Sequence, residues 1–313
     1  MSKVSVIGAG NVGATCFNVL ANYGFASELV LLDIKPGVSE GKAMDMMQAN
    51  KVFNIATRLI GVTNDYKATE GSDVVVITSG IPRKPGMTRE ELIGTNANIV
   101  NDVVSKVVEF SPEAVIVIVA NPMDTMTYLT VKKSGLKENK VIGMGGMLDS
   151  SRFNYYLSQA LNCAITDVEG MVIGGHGDTT MLPLISKAFY KGGKLTEILD
   201  EKTQEEVIAA TMVGGATLTK LLGTSAWYAP GAASAALAKA IVLDEKKVLP
   251  CCVSLNGEYG QEDICIGVPC VIGKNGAEKV VEIELTDKEK EKFADSAKAV
   301  RTTNNILKEL NII

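Results

Sequence analysis

Apolar residues recur along this chain with two different spacings. Continuous apolar runs alternate with stretches in which apolar residues return every three or four positions. The runs are typical of strands buried on both faces, and the second spacing is typical of amphipathic helices. Strands are predicted at 3–7, 28–33, 57–62, 73–79 and 113–122, and helices at 11–24, 40–50 and 89–110. This alternation predicts an α/β fold built on a doubly wound parallel sheet.

After about residue 145 the order of elements changes. Helices are predicted at 149–161, 202–222 and 231–243, and apolar runs at 247–256 and 263–273 predict antiparallel strands. The last predicted helix follows Thr286, a suitable N-cap, and carries charges of mixed sign. We therefore predict two domains, an α/β domain over 1–145 and an α+β domain over 146–313, that share an extensive interface.

Composition narrows the possible partners. Hydrophobic residues make up 46% and charged residues 21% of the 313 positions, and the net charge is −5. A negative net charge argues against non-specific binding to nucleic acid or to acidic membranes. No apolar run approaches the roughly 20 residues that a membrane span requires. A small-molecule ligand, with no nucleic acid or membrane partner, is the expectation.

The six cysteines suggest reduced thiols. No pair has C-x-x-C spacing and the chain holds one histidine, so no zinc framework or other metal site is predicted. The first predicted strand begins at Lys3, which leaves no room for a signal peptide. A cytoplasmic location is therefore expected.

A glycine fingerprint separates the first predicted strand from the first helix. Gly8-x-Gly10-x-x-Gly13 follows residues 3–7, and Asp33 ends the next strand twenty residues beyond Gly13. In a Rossmann domain, these glycines permit a tight turn, the approach of a pyrophosphate to the backbone and close helix–strand packing. Asp33 would accept hydrogen bonds from ribose hydroxyls and repel a 2′-phosphate, which favours NAD over NADP. A glycine-rich turn without a ligand is the alternative.

The single histidine, His176, stands between glycines in Gly-Gly-His-Gly-Asp. Small neighbours leave the imidazole accessible, and its ordinary pKa of about 6.5 suits proton exchange at neutral pH. Asp149 is a candidate acceptor that would orient the ring, and Arg152 lies one helical turn further on the same face. An exposed ion pair between Asp149 and Arg152 is the plainer alternative.

Two polar segments follow predicted strands. Asn121, in Asn-Pro-Met-Asp, lies at the carboxyl end of strand 113–122, where open parallel sheets bind their ligands, although Asn-Pro is also a common turn. Arg83 and Arg89 lie six residues apart in a Pro- and Gly-containing stretch that predicts a loop after strand 73–79. From the residues alone, simple solvation of both arginines is possible.

Taken in chain order, these motifs resemble the lactate/malate dehydrogenase family. The resemblance rests on the glycine fingerprint, Asp33, the two loop arginines, Asn-Pro-x-Asp, Leu-Asp-x-x-Arg and Gly-His-Gly-Asp. It covers essentially the whole chain and is greatest to the lactate-dehydrogenase-like malate dehydrogenases of prokaryotes. It implies an NAD-dependent oxidoreductase that interconverts oxaloacetate and (S)-malate in the tricarboxylic acid cycle. It also implies a homo-oligomer, with a tetramer favoured over a dimer.

The resemblance implies roles for individual residues. His176 would be the proton donor and acceptor, and Asp149 would hold its tautomer. Arg152 would bind one substrate carboxylate in a two-pronged contact, and Arg89, on a mobile loop, would polarise the carbonyl. Asn121 would contact the substrate and the nicotinamide region.

Arg83 carries the prediction of substrate class. Lactate dehydrogenases have a neutral Gln at the matching loop position, whereas malate dehydrogenases have Arg, so Arg83 implies a second substrate carboxylate. The predicted substrate contacts are then Arg83, Arg89, Asn121 and Arg152, and the catalytic group is His176, Asp149 and Arg89. Cofactor contacts are predicted from Gly8, Gly10, Asn11, Val12, Gly13, Asp33, Asn96 and Asn121. We also expect Ser225 and Ala226 near the substrate.

Three alternatives stay open from the sequence. A dehydrogenase of another 2-hydroxy acid, such as lactate, is the nearest and is disfavoured by Arg83. An NAD-dependent glycosidase has a related fold but needs Cys and His metal ligands, which a lone His176 does not supply. A non-catalytic NAD-binding scaffold would have no need of His176, Asp149, Arg152 and Arg89 together.

Overall fold

The structure is a computed structural model that describes residues 2–82 and 86–313. The strands are β1 (Lys3–Ile7), β2 (Glu28–Asp33), β3 (Arg58–Thr63), β4 (Val74–Ile77), β5 (Val115–Ile118), β6 (Val141–Gly143), β7 (Val168–Glu169), β8 (Val172–Gly174), β9 (Met181–Pro183), β10 (Phe189–Tyr190), β11 (Gly193–Lys194), β12 (Lys247–Asn256), β13 (Glu262–Gly273) and β14 (Gly276–Val280). The helices are α1 (Asn11–Tyr23), α2 (Val38–Phe53), α3 (Arg89–Phe110), α4 (Met123–Lys133), α5 (Gly145–Leu161), α6 (Leu195–Ile198), α7 (Glu201–Met212), α8 (Gly214–Leu222), α9 (Tyr228–Val242) and α10 (Asp287–Glu309).

A parallel sheet with strand order β3-β2-β1-β4-β5-β6 forms the first part of the chain. The chain winds outward from β1 in one direction through β2 and β3, and in the other through β4, β5 and β6. The strand order therefore reverses between β1 and β4, which is where doubly wound sheets bind ligands at their carboxyl edge. The α/β Rossmann fold expected for this part of the chain is confirmed.

Alternate residues of these strands pack into two different cores. Val4, Val6, Val74 and Val76 face the core that contains α1 and α9 residues. Their neighbours in sequence, among them Ile7, Val75 and Ile77, face the core that contains α3 and α4 residues. Because both faces are covered, the strands must be apolar throughout, which explains their continuous hydrophobic runs.

The second part of the chain extends the same sheet with antiparallel strands. β12 pairs with β6 through Cys252 and Gly143, and then with β13 over nearly its whole length. The close approach depends on Gly143, since a Cβ there would lie 2.9 Å from Cβ of Cys252 on β12. The α+β character expected for this part is confirmed, and one continuous sheet joins it to the parallel strands.

Two helical predictions had different outcomes. The segment 202–222 was expected as one helix, but it forms α7 and α8, separated at Val213 with φ −94° and ψ 4°. The glycine pair that follows, Gly214-Gly215, has low helix propensity, which favours a break in the helix at this point. The expected Thr286 cap of α10 is present as a capping box with Glu289.

Candidate active site

The glycine fingerprint forms the turn between β1 and α1. Gly8 has φ +106°, and a Cβ on Gly13 would lie 1.8 Å from the Gly8 carbonyl oxygen, so neither position has room for a side chain. A Cβ on Gly10, in contrast, would meet nothing within 4 Å. Gly8 and Gly13 are therefore required by the chain itself, while Gly10 borders open space that a ligand can approach.

The N-terminus of α1 is suited to an anion. Gly10 is its N-cap and supplies no side-chain hydrogen bond, and the first turn, which begins with Asn11 and Val12, contains no acidic residue. In the described part of the chain, the first N–H groups of the helix therefore have no side-chain cap, and the helix dipole favours negative charge there. This geometry fits the pyrophosphate of a dinucleotide cofactor.

Asp33 lies beside this turn at the end of β2. Its Oδ2 accepts a hydrogen bond from the Ala9 N–H at 2.6 Å, and its Oδ1 accepts one from the Lys35 N–H at 3.0 Å. Lys42 of α2 donates to the Ala9 carbonyl at 2.6 Å. The carboxylate is thus fixed by backbone contacts, and each oxygen keeps a lone pair for a ribose hydroxyl.

Asn96 is placed differently from a simple ligand contact. It is 1% exposed, its Oδ1 accepts from the Ile81 N–H, and its amide group donates to the carbonyls of Ile81 and Asn121. Both amide protons are used in these bonds. The side chain therefore joins the segment before α3 to the Asn121 segment, and a direct cofactor contact by Asn96 stays a prediction.

One carboxylate joins the imidazole and a guanidinium. Oδ2 of Asp149 lies 2.7 Å from Nδ1 of His176, and Oδ1 of Asp149 accepts a hydrogen bond from Nη1 of Arg152 at 3.2 Å. The side chain of Asp149 is 2% exposed, so this is a buried network and not the surface ion pair considered from the sequence. Because Nδ1 is committed to Asp149, Nε2 is the nitrogen left for proton exchange.

The environment of His176 favours the imidazolium. Burial disfavours the charged ring, but the nearby carboxylates of Asp149 and Asp124 outweigh this effect and raise the pKa of His176 above its ordinary value of 6.5, against a smaller opposing contribution from Arg152. The ring also packs tightly on α5, since a Cβ on Gly145 would lie 2.8 Å from Cβ of His176. His176 is therefore held in place and poised to carry a proton.

Two cavities border His176. One, of about 280 Å³, brings residues of several elements together; it is lined by Val12, Asn121, Met144, Arg152, His176, Gly215, Ser225 and Ala226, among others. It connects the fingerprint helix to the imidazole, as expected for a site shared by cofactor and substrate. Ser225 and Ala226 line it, as the sequence suggested. The other cavity, of about 560 Å³, lies between His176, Asp124, Arg89 and α10.

The structure describes Arg89 but not Arg83. Arg83 lies outside the described residues, so its predicted contact stays a prediction. Arg89 begins α3 and lines the larger cavity, where its Nη2 donates to Oγ1 of Thr303 at 2.5 Å. In this conformation the guanidinium is bound to α10, 214 positions away in sequence. This bond uses one nitrogen of the guanidinium, and a polarising role for Arg89 stays a prediction.

Sequence reasoning missed three residues beside the expected ones. Asp124 accepts a hydrogen bond from the His176 N–H at 2.6 Å; its place in the Asn-Pro-x-Asp motif was a usable signal. Gly214 and Gly215 face Arg152, with Cβ positions 3.5 and 3.4 Å from its side-chain atoms. Two adjacent glycines are a signal for a break in a helix, but nothing near them in the sequence indicated that they contact Arg152.

Other ligand classes find less support in the described residues. Among residues 2–82 and 86–313, no group of three or more His, Cys, Asp and Glu side chains is arranged to hold a metal ion. All six cysteines are free thiols, and five of them are buried. In the same part of the chain, no helix combines the length and apolar character that crossing a membrane requires.

Comparison with known families decides the classification. Residues 2–143 match the lactate/malate dehydrogenase NAD binding domain, and residues 146–310 match the lactate/malate dehydrogenase alpha/beta C-terminal domain. The chain belongs to the lactate/malate dehydrogenase family. The glycine fingerprint lies in the segment that matches the NAD binding domain, and His176 lies in the segment that matches the C-terminal domain.

Relatives within the lactate/malate dehydrogenase family carry one name repeatedly. The chain is 64% identical to a malate dehydrogenase of Bacteroides thetaiotaomicron and 62% identical to one of Parabacteroides distasonis, in both cases over 313 residues that make up 100% of each chain. A solved malate dehydrogenase structure from Salinibacter ruber is 42% identical, with a TM-score of 0.94 and coverage of 99% of this chain and 98% of that chain. A lactate dehydrogenase structure from Cryptosporidium parvum, complexed with lactic acid and the cofactor, is 36% identical with a TM-score of 0.93 and 98% coverage of both chains.

Proposed function

We propose that this chain is an NAD-dependent malate dehydrogenase that interconverts oxaloacetate and (S)-malate. One observation carries the chemistry: the buried carboxylate of Asp149 holds Nδ1 of His176 and Nη1 of Arg152 at the same cavity, which reaches Val12 of the fingerprint helix. A proton-exchanging group and a carboxylate-binding group thus lie together beside the dinucleotide site. The malate dehydrogenase relatives of 62–64% identity support this substrate.

The nucleotide half of the site binds NAD. When bound, NAD supplies the hydride acceptor for malate oxidation, and its reduced form supplies the donor for oxaloacetate reduction. Gly10 opens the backbone to the pyrophosphate at the N-terminus of α1. Asp33 accepts from the ribose hydroxyls and disfavours a 2′-phosphate.

The substrate half of the site exchanges one proton with the substrate and binds its two carboxylates. In oxaloacetate reduction, Nε2 of protonated His176 donates to the substrate carbonyl oxygen; in malate oxidation, neutral His176 accepts the hydroxyl proton. Asp149 stabilises the imidazolium by its contact with Nδ1. Arg152, which is 14% exposed and keeps Nε without a protein hydrogen-bond partner in the described residues, binds the carboxylate next to the reacting carbon.

Two arginines complete the proposed site. Arg83, which lies outside the described residues, binds the second carboxylate, and Arg89 stabilises the developing negative charge on the carbonyl oxygen. The Arg83 contact distinguishes a four-carbon diacid from a monoacid.

Steady-state kinetics with oxaloacetate, pyruvate and longer 2-oxo acids, each with NADH and NADPH, test the proposal. We expect the highest kcat/KM for oxaloacetate with NADH. Pyruvate reduction as efficient as oxaloacetate reduction would instead favour the lactate alternative, which the likeness to a lactate dehydrogenase structure keeps in view. No turnover with any 2-oxo acid, despite NADH binding, would leave the scaffold alternative.

We further propose a cytoplasmic homotetramer that acts in the tricarboxylic acid cycle, with domains divided at residue 145. Exposed apolar side chains support association: Val52 of α2 is 82% exposed, Phe53 is 61% exposed, and Leu221 of α8 is 75% exposed. Exposed apolar side chains that cluster on a surface are typical of contacts between subunits. Light scattering of the purified chain measures the subunit number directly.

A further inference from the structure

A second buried carboxylate, Asp124, contacts the segment that carries His176. Asp124 is the second residue of α4 and is 8% exposed. Its Oδ2 accepts the hydrogen bond of the His176 backbone N–H at 2.6 Å, across 52 positions of sequence. This bond fixes the main chain of the imidazole, whereas Asp149 fixes its side chain.

The hydrogen bond of Asp124 fixes a segment in which a small backbone shift would displace the imidazole of His176. His176 lies in an irregular segment between β8 and β9 and is flanked by Gly175 and Gly177, so no regular element holds its backbone. Three contacts confine it: Asp124 at the backbone N–H, Asp149 at Nδ1 and the α5 backbone at Gly145. Removal of the first would leave the ring attached by its side chain alone.

Both buried carboxylates near His176 favour its protonated form. Asp124 and Asp149 bring two negative charges, and Arg152 brings one positive charge. The cluster is therefore neutral when the imidazole is protonated, and it carries one net negative charge when the imidazole is neutral. Asp124 thus adds a second negative charge to the larger contribution of Asp149.

The other groups around Asp124 do not replace this effect. Asp149 opposes its ionisation, and the thiols of Cys252 on β12 and Cys265 on β13 are buried and uncharged because burial raises their pKa. Arg89 and Asp178 line the same cavity but are exposed, so solvent screens their charges. α10 contributes Ala299, Val300 and Thr303 to this cavity, and none of them is charged.

We propose that Asp124 is a positioning residue for the reaction: its hydrogen bond places the His176 backbone, and its buried negative charge favours the imidazolium. This inference rests on the proposed dehydrogenase function for its kinetic consequences but not for its structural ones. Burial raises the pKa of Asp124 to about 6, against the opposing attraction of His176. Each of the two groups favours the charged form of the other.

The single histidine allows a direct test. In untagged protein with ¹³C-labelled histidine, the imidazole resonance belongs to His176 alone, and its titration is followed by NMR without assignment. In Asp124→Asn, which keeps a carbonyl acceptor but loses the charge, we expect the midpoint to fall by about 0.5–1 pH unit. Asp263→Asn is the matched control, because Asp263 bonds Tyr128 and Lys132 of the same helix without facing His176.

Kinetics separate the two parts of the role. Asp124→Ala removes both acceptor and charge, and we expect kcat to fall about 10²-fold with little change in the KM for NADH. Asp124→Asn should recover most of this kcat while moving the pH profile of malate oxidation to lower pH. A purely structural role would lower stability and leave the midpoint where it is.

The outcomes are distinct. An unchanged His176 midpoint in Asp124→Asn overturns the inference, even in an active enzyme. A lowered midpoint in Asp124→Asn supports the inference. If the unmodified chain also shows no 2-oxo acid reductase activity, the proposed function is rejected while the inference stands. If neither Asp124 variant folds, the unmodified chain decides: a His176 midpoint above 6.5 supports the inference, and a midpoint at or below 6.5 contradicts it.

Discussion

Oδ2 of Asp149 lies 2.7 Å from Nδ1 of His176, although the two residues are 27 positions apart and belong to different elements. The same carboxylate also bonds Arg152. A single buried group thus sets the tautomer of the proton carrier and the position of the carboxylate-binding arginine. The proposed chemistry depends on this relationship, and it leads to the first two predictions.

Replacement of His176 by Asn should abolish turnover without loss of cofactor binding. General acid–base catalysis is worth about 10²–10⁴-fold in rate, so oxaloacetate reduction should fall by that factor. NADH affinity, measured by fluorescence titration, should stay within about twofold because the fingerprint turn is unchanged. Activity close to that of the unmodified chain would remove the role assigned to His176.

The pH dependence of the two directions should be opposite. The pKa of His176 is raised above 6.5 because the neighbouring carboxylates outweigh the effect of burial. As pH rises through the raised value, kcat/KM for oxaloacetate reduction should fall; as pH falls through it, kcat/KM for malate oxidation should fall. Asp149→Asn should move both midpoints to lower pH. Midpoints at or below 6.5 in the unmodified enzyme would contradict this environment.

The same shift links pH to stability. Because the folded-state pKa of His176 lies above its unfolded value, protonation stabilises the fold. The contribution is fully present below about pH 6.5 and is lost as pH rises through the folded-state value. Unfolding by urea at a series of pH values, with His176→Asn as the comparison, isolates the contribution of His176 protonation to the free energy of unfolding.

Arg83→Gln should weaken discrimination for the diacid. Loss of one partner of a desolvated charge pair costs about 2–5 kcal/mol, which is roughly 30- to several-thousand-fold in kcat/KM for oxaloacetate. Pyruvate, which has no second carboxylate, should lose far less, so the ratio of the two efficiencies is the measurement. Lys84→Gln removes one charge from the adjacent position and serves as the control. An unchanged ratio in Arg83→Gln rules out the two-arginine clamp.

Gly10→Ala and Gly13→Ala should fail in different ways. A Cβ on Gly13 would lie 1.8 Å from the Gly8 carbonyl oxygen, whereas one on Gly10 meets nothing within 4 Å. Gly13→Ala should therefore destabilise the fold, by about 1–3 kcal/mol or more. Gly10→Ala should keep the melting temperature of the free chain and lose NADH affinity. Thermal unfolding with and without NADH separates them, and equal melting temperatures would contradict the assigned roles.

Asp33→Ser should relax the preference for NAD over NADP. Removal of the repelling charge should raise the ratio of NADPH to NADH efficiency by roughly tenfold, or about 1.4 kcal/mol. Asp33 also accepts from the N–H groups of Ala9 and Lys35, so some loss of stability is expected. Asp33→Asn, which keeps an acceptor oxygen, is the matched variant. No change in the ratio would mean that another residue reads the ribose.

Much of the fold could be predicted from the sequence, because strands, helix caps and tight turns depend on residues close together in the chain. Strands β1, β2 and β12 lie where their apolar runs predicted them, and Thr286 caps α10 as its hydroxyl and Glu289 suggest. The split between α7 and α8 was missed, since the helical spacing of apolar residues continues through Val213. The fingerprint turn was identified correctly because its glycines answer steric needs that arise within a few residues.

The amino-acid sequence by itself determined the family, the nucleotide-binding turn and the set of polar residues from which a site is built, because these depend on short motifs and periodicity. Only the tertiary structure decided which of those residues meet. The bonds from Asp149 to His176, from Asp124 to the His176 backbone and from Arg89 to Thr303 span 27, 52 and 214 positions. Contacts at such separations follow from how strands and helices pack, and no local spacing encodes them.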